Sequence, residues 1–214
     1  MNGQEGYGGH KGLVARGYDR MGAAYAAWAQ ANPDPARQEH TRLLLELLGA
    51  GSRVLDLGCG AGVPTTLALA QRLNVLGVDL SWEQLVRARR HVRQATFVQA
   101  DMAELALAPD SLHGVNAMYS LIHLPSQEQV AVLERIAHWL RPGGLLVATM
   151  SVRADPGTVD DFFGAPMYWS GQGIEANLRA VAGAGLETLR AEVCDTDEFG
   201  DVVSFLWVLA RRRI

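Results

Sequence analysis

Hydrophobic and polar positions follow two alternating patterns through the middle of the chain. Short runs of mostly apolar residues, typical of strands buried in a sheet, are separated by segments whose apolar residues recur at helical spacing. The runs predict five strands, at residues 53–57, 74–78, 96–99, 114–119 and 145–150. Strands that alternate with helices in this way indicate a parallel sheet with crossover helices on its faces.

The segment before the first strand has a pattern of its own. Residues 1–12 contain five glycines and no apolar periodicity, so we predict a mobile tail there. For residues 13–48 we predict a helical cap of two helices, which are separated by the prolines within residues 32–35. In the first of these helices Tyr18, Met21 and Tyr25 fall on one face.

The segment after the fifth strand breaks the alternation. Residues 151–172 are long for a plain connection and rich in aromatic side chains, so we predict an insertion over the active site. A helix at 174–183 then leads to strands at 188–193 and 204–209, whose short connection predicts a hairpin. The predicted fold is a single α/β domain over residues 1–214. It has a Rossmann-like seven-stranded sheet of five parallel strands plus a C-terminal antiparallel hairpin, with helices on both faces.

Composition narrows the class of protein. The chain has 214 residues, 49% of them hydrophobic, and a formal net charge of −4. Its basic residues are scattered, which argues against a nucleic-acid surface, and no apolar run is long enough to span a membrane or form a signal peptide. The two cysteines, Cys59 and Cys194, form neither a disulfide framework nor a zinc motif. We therefore expect a cytoplasmic protein.

The first strand ends in a glycine-rich turn that suits a nucleoside ligand. Asp56 is followed by Gly58, Cys59, Gly60 and Gly62, and the next helix begins near Pro64. Glycine lets the backbone turn sharply and approach a ligand closely. A dinucleotide fingerprint would read G-x-G-x-x-G, whereas here an acid precedes three alternating glycines. The spacing favours an adenosyl sulfonium over a dinucleotide.

Four later segments extend this pattern, and the whole set resembles the class I S-adenosylmethionine-dependent methyltransferases. The resemblance is strong over residues 50–150 and loose in the flanks. The five matching segments, in chain order, are Val54 to Gly62, Gly77 to Ser81, Gln99 to Met102, Tyr119 to Pro125, and Leu140 to Gly144.

The resemblance implies a role for S-adenosylmethionine as cofactor and for particular residues around it. Asp79 would accept hydrogen bonds from the ribose hydroxyls, with Leu80 beside it, and Asp101 would accept one from the adenine amino group, with Met102 against the ring. The methionine part would lie beside the glycine turn. The implied cofactor-binding residues are Asp56, Gly58, Cys59, Gly60, Gly62, Asp79, Leu80, Asp101, Met102, Tyr119, Tyr18 and Tyr25.

The end of the fourth strand faces the transferred methyl group in this family. Transfer from a sulfonium is an in-line displacement, so positioning and exclusion of water supply most of the acceleration. His123 is the best-placed catalytic base at neutral pH; a packing histidine is the alternative. With Met167 and Trp169 of the aromatic insertion, His123 also forms the predicted substrate-binding set. We predict no metal site, because the ends of strands four and five lack acids.

The predicted function is methyl transfer to an oxygen or nitrogen of a small, aromatic or apolar metabolite. A cofactor-binding regulatory module without turnover, a nicotinamide-dependent oxidoreductase and an aminopropyl transferase are the alternatives. Nothing in the sequence identifies an interface, so the oligomeric state stays open and a homodimer is compatible with it. The acceptor itself does not follow from the fold.

Overall fold

A computed structural model of the chain describes residues 8–198 and 201–214. The helices are α1 (Gly9–Ala31), α2 (Pro35–Leu47), α3 (Thr65–Ala70), α4 (Trp82–His91), α5 (Ser126–Trp139) and α6 (Ile174–Gly183). The strands are β1 (Arg53–Leu57), β2 (Asn74–Asp79), β3 (Thr96–Gln99), β4 (Leu112–Ala117), β5 (Leu140–Ser151), β6 (Gly157–Phe162), β7 (Ala165–Trp169), β8 (Leu186–Glu198) and β9 (Asp201–Arg212). A single 3-10 turn, Leu121–His123, follows β4.

Seven of the strands form one sheet in the order β3-β2-β1-β4-β5-β9-β8. Strands β1 to β5 are parallel, and β9 runs antiparallel to both β5 and β8. The predicted five parallel strands and C-terminal hairpin are thereby confirmed. Because the chain order reverses between β1 and β4, their carboxyl ends flank a crevice, which is where such sheets bind ligands.

Apolar side chains bury both faces of the sheet. In β1, Leu55 and Leu57 belong to the cluster that packs under α5, where Val132 and Leu133 are fully buried. Val54 points to the opposite face and belongs to the cluster that contains Leu44 of α2 and Leu69 of α3. Helices therefore cover both faces, as predicted from the strand–helix alternation.

Helix α1 begins at Gly9, four residues before the predicted start. Residues 9–12 are therefore helical and not part of a tail; residues 1–7 of the predicted tail lie outside the described residues. Two contacts hold this first turn. The ring of His10 stacks on that of Tyr168 with centroids 4.0 Å apart, and the Lys11 ammonium lies 2.7 Å from Oδ2 of Asp101. Tertiary contacts thus override the poor helix propensity of the glycines.

The predicted insertion contains a small hairpin of its own. Strands β6 and β7 pair antiparallel as a separate two-stranded sheet. The sequence does not predict these strands, because β6 is almost entirely exposed and has no alternating apolar face. The turn depends on Gly164, whose φ is +81° and whose N–H is accepted by Oδ1 of Asp161. Met167 and Tyr168 of β7 are buried against α1. In the described part of the chain, no helix is long and apolar enough to cross a membrane.

Candidate functional site

A cleft lies at the carboxyl ends of β1 to β4, and α1 closes one side of it. Eleven of the residues predicted from the sequence line it. They are Tyr18, Tyr25, Gly58, Cys59, Gly60, Asp79, Leu80, Asp101, Met102, Tyr119 and His123.

The glycine turn after β1 forms the floor of the cleft. Gly58 has φ +71°, and a Cβ there would lie 2.4 Å from the Cβ of Ser120, so a side chain has neither the conformation nor the room. Gly60 has φ +53° and open space beside it, because it borders the cleft. The backbone N–H groups of Gly58 and Cys59 are donated to the Val78 carbonyl, which fixes the turn against the end of β2.

Asp79, at the end of β2, braces this turn. Its Oδ2 accepts the Gly60 N–H at 2.8 Å and its Oδ1 accepts the Ser81 N–H at 2.8 Å. Burial raises the pKa of the Asp79 carboxyl to about 6, although the two N–H bonds oppose this shift. Each oxygen keeps a further lone pair for a ligand hydroxyl. The carboxylate is therefore pre-oriented at the cleft wall as an acceptor.

Asp101, at the end of β3, carries an ion pair that the sequence analysis did not predict. Its Oδ2 lies 2.7 Å from Nζ of Lys11, and its Oδ1 accepts the Ala103 N–H at 2.8 Å. Lys11 also reaches Oε2 of Glu128, at 2.5 Å. Burial alone would lower the pKa of Lys11, but the bonds to the two carboxylates outweigh it and raise the pKa. Helix α1 is thus anchored by a charged residue at one end of the cleft.

Ser120, which follows β4, presents a buried hydroxyl to the cleft. Its side chain is 4% exposed, and Oγ has no hydrogen-bond partner among residues 8–198 and 201–214. Buried polar atoms are nearly always paired, so an unpaired one at a cleft wall indicates a place for a ligand or a water molecule. Ser120 lies directly against Gly58, on the floor that the glycine turn forms.

His123 and Tyr18 meet at the other end of the cleft. His123 Nδ1 lies 2.9 Å from the Tyr168 carbonyl, and since a carbonyl only accepts, Nδ1 carries the hydrogen. Nε2 then accepts the Tyr18 hydroxyl, at 2.9 Å. Burial lowers the pKa of the imidazole to about 4, so His123 is neutral at physiological pH. The two side chains form an oriented pair in which the tautomer is fixed by the backbone of β7.

Tyr119 separates this cleft from a second one. It adopts φ +55°, an unusual backbone conformation for a bulky residue, and its hydroxyl is donated to Oδ2 of Asp34 at 2.6 Å. The Arg37 guanidinium lies 4.7 Å from the centre of its ring. Burial and the Asp34 carboxylate raise the pKa of Tyr119, so it stays protonated. The second cleft shares Tyr25, Ala29, Arg37 and Tyr119 with the first.

Four predicted site residues do not line the cleft. Asp56 is buried under the glycine turn, where its carboxylate accepts hydrogen bonds from Thr66 at 2.5 Å and Asn116 at 2.7 Å. Gly62 faces α4, since a Cβ there would lie 3.1 Å from Val92. The structure therefore places these two residues outside the cleft lining, against the expectation of a direct cofactor contact: Asp56 lies beneath the turn and Gly62 against α4.

Met167 and Trp169 are likewise absent from the cleft lining, against the prediction that they bind substrate. Met167 is fully buried, and its Cε lies 2.8 Å from where Gly17 of α1 would carry a Cβ. The Trp169 ring packs against Phe162, with centroids 5.0 Å apart, and lies 6.0 Å from the His123 ring. Both side chains support the wall behind Tyr18 and His123.

Sequence reasoning missed several residues of the cleft. Lys11 falls in the segment predicted as a tail, and Arg37 carries no motif signal. Ser120 lies within the matching segment Tyr119 to Pro125, but the resemblance implies no role for it. Gln84, three residues after Ser81, has the spacing of a helix-capping box, which predicts a structural role for it. Burial and the nearby acids raise the thiol pKa of Cys59 well above its ordinary value, so the thiol stays protonated. The described residues contain no cluster of metal-ligating side chains.

Comparison with known proteins agrees with this geometry. A sequence model of the methyltransferase-domain family matches residues 54–144. Methyltransferase GfsG of Streptomyces halstedii is 36% identical over 151 residues, which are 64% of this chain and 52% of GfsG. The chain spans about half the length of the curated relatives it matches.

Solved structures extend the likeness to the whole fold. An S-adenosylmethionine-dependent methyltransferase from Methanosarcina mazei superposes with a TM-score of 0.73 at 14% identity, covering 86% of this chain and 99% of that one. The structure of the 1,6-didemethyltoxoflavin-N1-methyltransferase of Burkholderia thailandensis contains bound 1,6-didemethyltoxoflavin and S-adenosylhomocysteine. It superposes with a TM-score of 0.68 at 19% identity, covering 94% of this chain and 88% of that one. At these identities the likeness shows the fold.

The segment that the family model matches runs from β1 into β5. It contains the glycine turn and both acids that line the cleft, at the carboxyl ends of three neighbouring strands. Fold, cleft and sequence match coincide there, and over this segment the chain is similar to the class I S-adenosylmethionine-dependent methyltransferases.

Proposed function

We propose that the protein transfers a methyl group from S-adenosylmethionine to an oxygen or nitrogen of a small metabolite with an aromatic or apolar body. The observation that carries this proposal is a pair of neighbouring clefts that share the lining residues Tyr25, Arg37 and Tyr119. One has the acids and glycine turn of a nucleoside site, and the other has aromatic residues in its walls.

The residues of the first cleft fit the cofactor. Gly60 leaves open space at the floor, Asp79 keeps acceptor capacity for a ribose diol, and the unpaired Ser120 Oγ lies beside Gly58. Asp79 with Leu80 would hold the ribose and Asp101 with Met102 the adenine, while Gly58, Cys59 and Gly60 would border the methionine part. Tyr18, Tyr25 and Tyr119 would enclose the sulfonium, whose positive charge is attracted to aromatic faces.

When bound, S-adenosylmethionine would supply a methyl carbon attached to a sulfonium, and the electron pair of the carbon–sulfur bond would stay on sulfur as that bond breaks. The chain's own contribution is to orient the acceptor and take up its proton. As the acceptor oxygen or nitrogen bonds to carbon, its proton becomes strongly acidic. Neutral His123, although its pKa is only about 4, is then basic enough to receive it.

The Tyr18 hydroxyl provides the route for this proton. It donates to Nε2 of His123 and keeps lone pairs that can accept from the acceptor group. The proton then passes from the acceptor to Tyr18 as the Tyr18 proton passes to His123. The Tyr168 carbonyl holds the imidazole in the tautomer that this transfer needs.

The second cleft supports an acceptor with a flat apolar body. Tyr25, Trp28 and Tyr119 contribute to its lining, together with Pro33 and Pro35. Its other lining residues are mostly polar and include Asp34, Asp195 and Asp197. Aromatic walls combined with polar groups that fix orientation are typical of sites for small organic molecules. The β6–β7 hairpin lies behind Tyr25, where Phe163 packs edge-on against its ring at 5.6 Å. The hairpin therefore fixes the wall of the acceptor site.

Incubation with methyl-labelled S-adenosylmethionine and a metabolite library tests the proposal. We expect label on an oxygen or nitrogen of aromatic or apolar compounds in the wild type, identified by mass spectrometry. Label on no compound, in a preparation that binds S-adenosylhomocysteine, would support the regulatory-module alternative and contradict the proposal.

A further inference from the structure

Gln84, on the first turn of α4, is a buried amide without partners at the wall of the first cleft. Its side chain is 1% exposed and lines the cleft with Asp79 and Ser81. Neither Nε2 nor Oε1 has a hydrogen-bond partner within residues 8–198 and 201–214. An amide that is buried in this way loses its hydration without compensation, which is unfavourable for the ligand-free fold.

The sequence predicts a different partner for this amide. Ser81 and Gln84 have the spacing of a capping box, in which the glutamine would accept the Ser81 N–H. Half of that box forms, since Ser81 Oγ accepts the Gln84 N–H at 3.2 Å. The Ser81 N–H, however, is donated to Oδ1 of Asp79. The partner that the fold would offer to Gln84 is therefore already used by Asp79.

The rest of this helix end is also satisfied without Gln84. Asp19 of α1 accepts the Ser81 hydroxyl at 2.6 Å and the Glu83 N–H at 3.2 Å with the same oxygen, Oδ1. Helix α1 lies close against the amide, because a Cβ on Gly22 would be 3.6 Å from Nε2. Helix α1 therefore covers the amide on one side, while Gln84 also borders the cleft.

We infer that Gln84 binds the cofactor by a hydrogen bond between its amide and a ribose hydroxyl. A hydroxyl both donates and accepts, which matches an amide that offers one donor group and one acceptor. Asp79, five residues earlier, only accepts hydrogen bonds when ionised. The two side chains would therefore bind the two ribose hydroxyls together, with Asp79 as acceptor and Gln84 as donor or acceptor. This inference rests on the proposed use of S-adenosylmethionine and adds a residue that selects for the intact ribose.

The test is Gln84→Met, which keeps the length and volume of the side chain and removes both polar atoms. The melting temperature of the ligand-free variant is expected to equal or exceed that of the wild type. The Kd for S-adenosylhomocysteine, measured by calorimetry, is expected to rise about tenfold, the effect of losing one or two neutral hydrogen bonds. Gln84→Leu repeats the test if the methionine variant does not fold.

Gln129→Met is the matched control. Gln129 is equally buried, but its Nε2 is donated to the carbonyls of Leu124 and Ser170, and it does not line the cleft. Its replacement should lower the melting temperature and leave the Kd unchanged. Titration with adenosine, 2′-deoxyadenosine and 3′-deoxyadenosine then identifies the ribose contact, because the Gln84→Met penalty should vanish for one deoxynucleoside.

Unchanged S-adenosylhomocysteine affinity in Gln84→Met, or a penalty equal for all three nucleosides, would overturn the inference. These results differ from a failure of the proposed function, in which the wild type and Gln129→Met would themselves not bind S-adenosylhomocysteine.

Discussion

The hydroxyl of Tyr18 on α1 is donated to Nε2 of His123, 105 residues away in sequence, across 2.9 Å. This bond joins the N-terminal cap to the turn after β4 and turns a buried histidine into an oriented acceptor. In Tyr18→Phe we expect kcat to fall about 10- to 100-fold, because the proton route is interrupted. The Kd for S-adenosylhomocysteine should change less than about threefold if the lost bond serves the proton and not the cofactor.

The matched variant for this prediction is Tyr25→Phe. Tyr25 lies about two turns after Tyr18 on α1 and also borders the cleft. It should keep kcat within a few-fold of the wild type, as no proton passes through it. Single-turnover rates with saturating cofactor separate chemistry from binding. An unchanged rate in Tyr18→Phe would exclude the relay.

His123 should make the fold sensitive to acid. Its pKa is about 4 in the folded protein and about 6.5 when unfolded, so the unfolded state binds the proton first as pH falls. Its contribution is fully present above pH 6.5 and is lost progressively down to pH 4. By pH 5 the free energy of unfolding has fallen by about 2 kcal/mol on account of His123. Urea titrations at pH 7.5 and 5.0 measure it.

Asp79 has a raised pKa, so its contribution to the free energy of unfolding increases as pH falls, opposite to that of His123. The effect of His123 is therefore measured by comparing variants. His123→Gln should lose less stability than the wild type between the two pH values. The exposed residue His138, replaced by glutamine, should leave the wild-type difference intact. Equal losses in all three proteins would contradict the assignment of a depressed pKa to His123.

Asp79 should make cofactor binding weaken in mild acid. Its carboxyl has a pKa of about 6, and the protonated form presents one acceptor oxygen fewer to the ribose. We expect the Kd for S-adenosylhomocysteine to be constant from pH 8 to 7 and to rise below pH 6, by up to tenfold per pH unit. Calorimetry across this range tests it. A flat profile would show that the ionised carboxylate is not required.

The second cleft should discriminate acceptors by charge. Its lining includes the carboxylates of Asp34, Asp195 and Asp197 and one guanidinium, that of Arg37, which lies 3.7 Å from Asp34. With S-adenosylhomocysteine present, we expect 4-hydroxybenzylamine to bind more tightly than 4-hydroxybenzyl alcohol, and 4-hydroxybenzoate to bind weakest. Each step should be about three- to tenfold and should shrink in high salt.

Asp195→Asn should reduce the affinity differences between these three compounds, since the Asp195 carboxylate is exposed and its Oδ1 accepts the Ser204 hydroxyl at 2.6 Å. Asp160→Asn, in the exposed strand β6 away from the cleft, is the control. A series unaffected by Asp195→Asn, or led by the benzoate, would contradict an electrostatic preference for neutral and cationic acceptors.

The strand ends of the sheet and the acids on them could be predicted from sequence because parallel strands bring their carboxyl ends together. Asp79 and Asp101 are therefore correctly placed at one edge. Asp56 is also at a strand end, yet it points under the turn to Thr66 and Asn116. Which side of the turn an acid faces depends on packing partners that are distant in sequence, and local spacing does not contain that information.

Contacts of the cap were harder to predict for the same reason. The position of Tyr18 on one helical face follows from periodicity, but its bond to His123 depends on how α1 crosses the sheet. Lys11 lies among glycines that favour a tail, and its two carboxylate partners come from β3 and α5. Gln84 has the local spacing of a capping box, but the Ser81 N–H that it would accept is donated to Asp79 instead.

Calorimetric titration of S-adenosylhomocysteine tests the central claim, that the cleft at the glycine turn is a cofactor site, most directly. We predict one site per chain in the wild type, a Kd at least about 30-fold weaker in Asp79→Asn, and wild-type affinity in Asp160→Asn on the exposed face of β6. No binding at high micromolar concentration, or an Asp79→Asn variant that binds like the wild type, would contradict it.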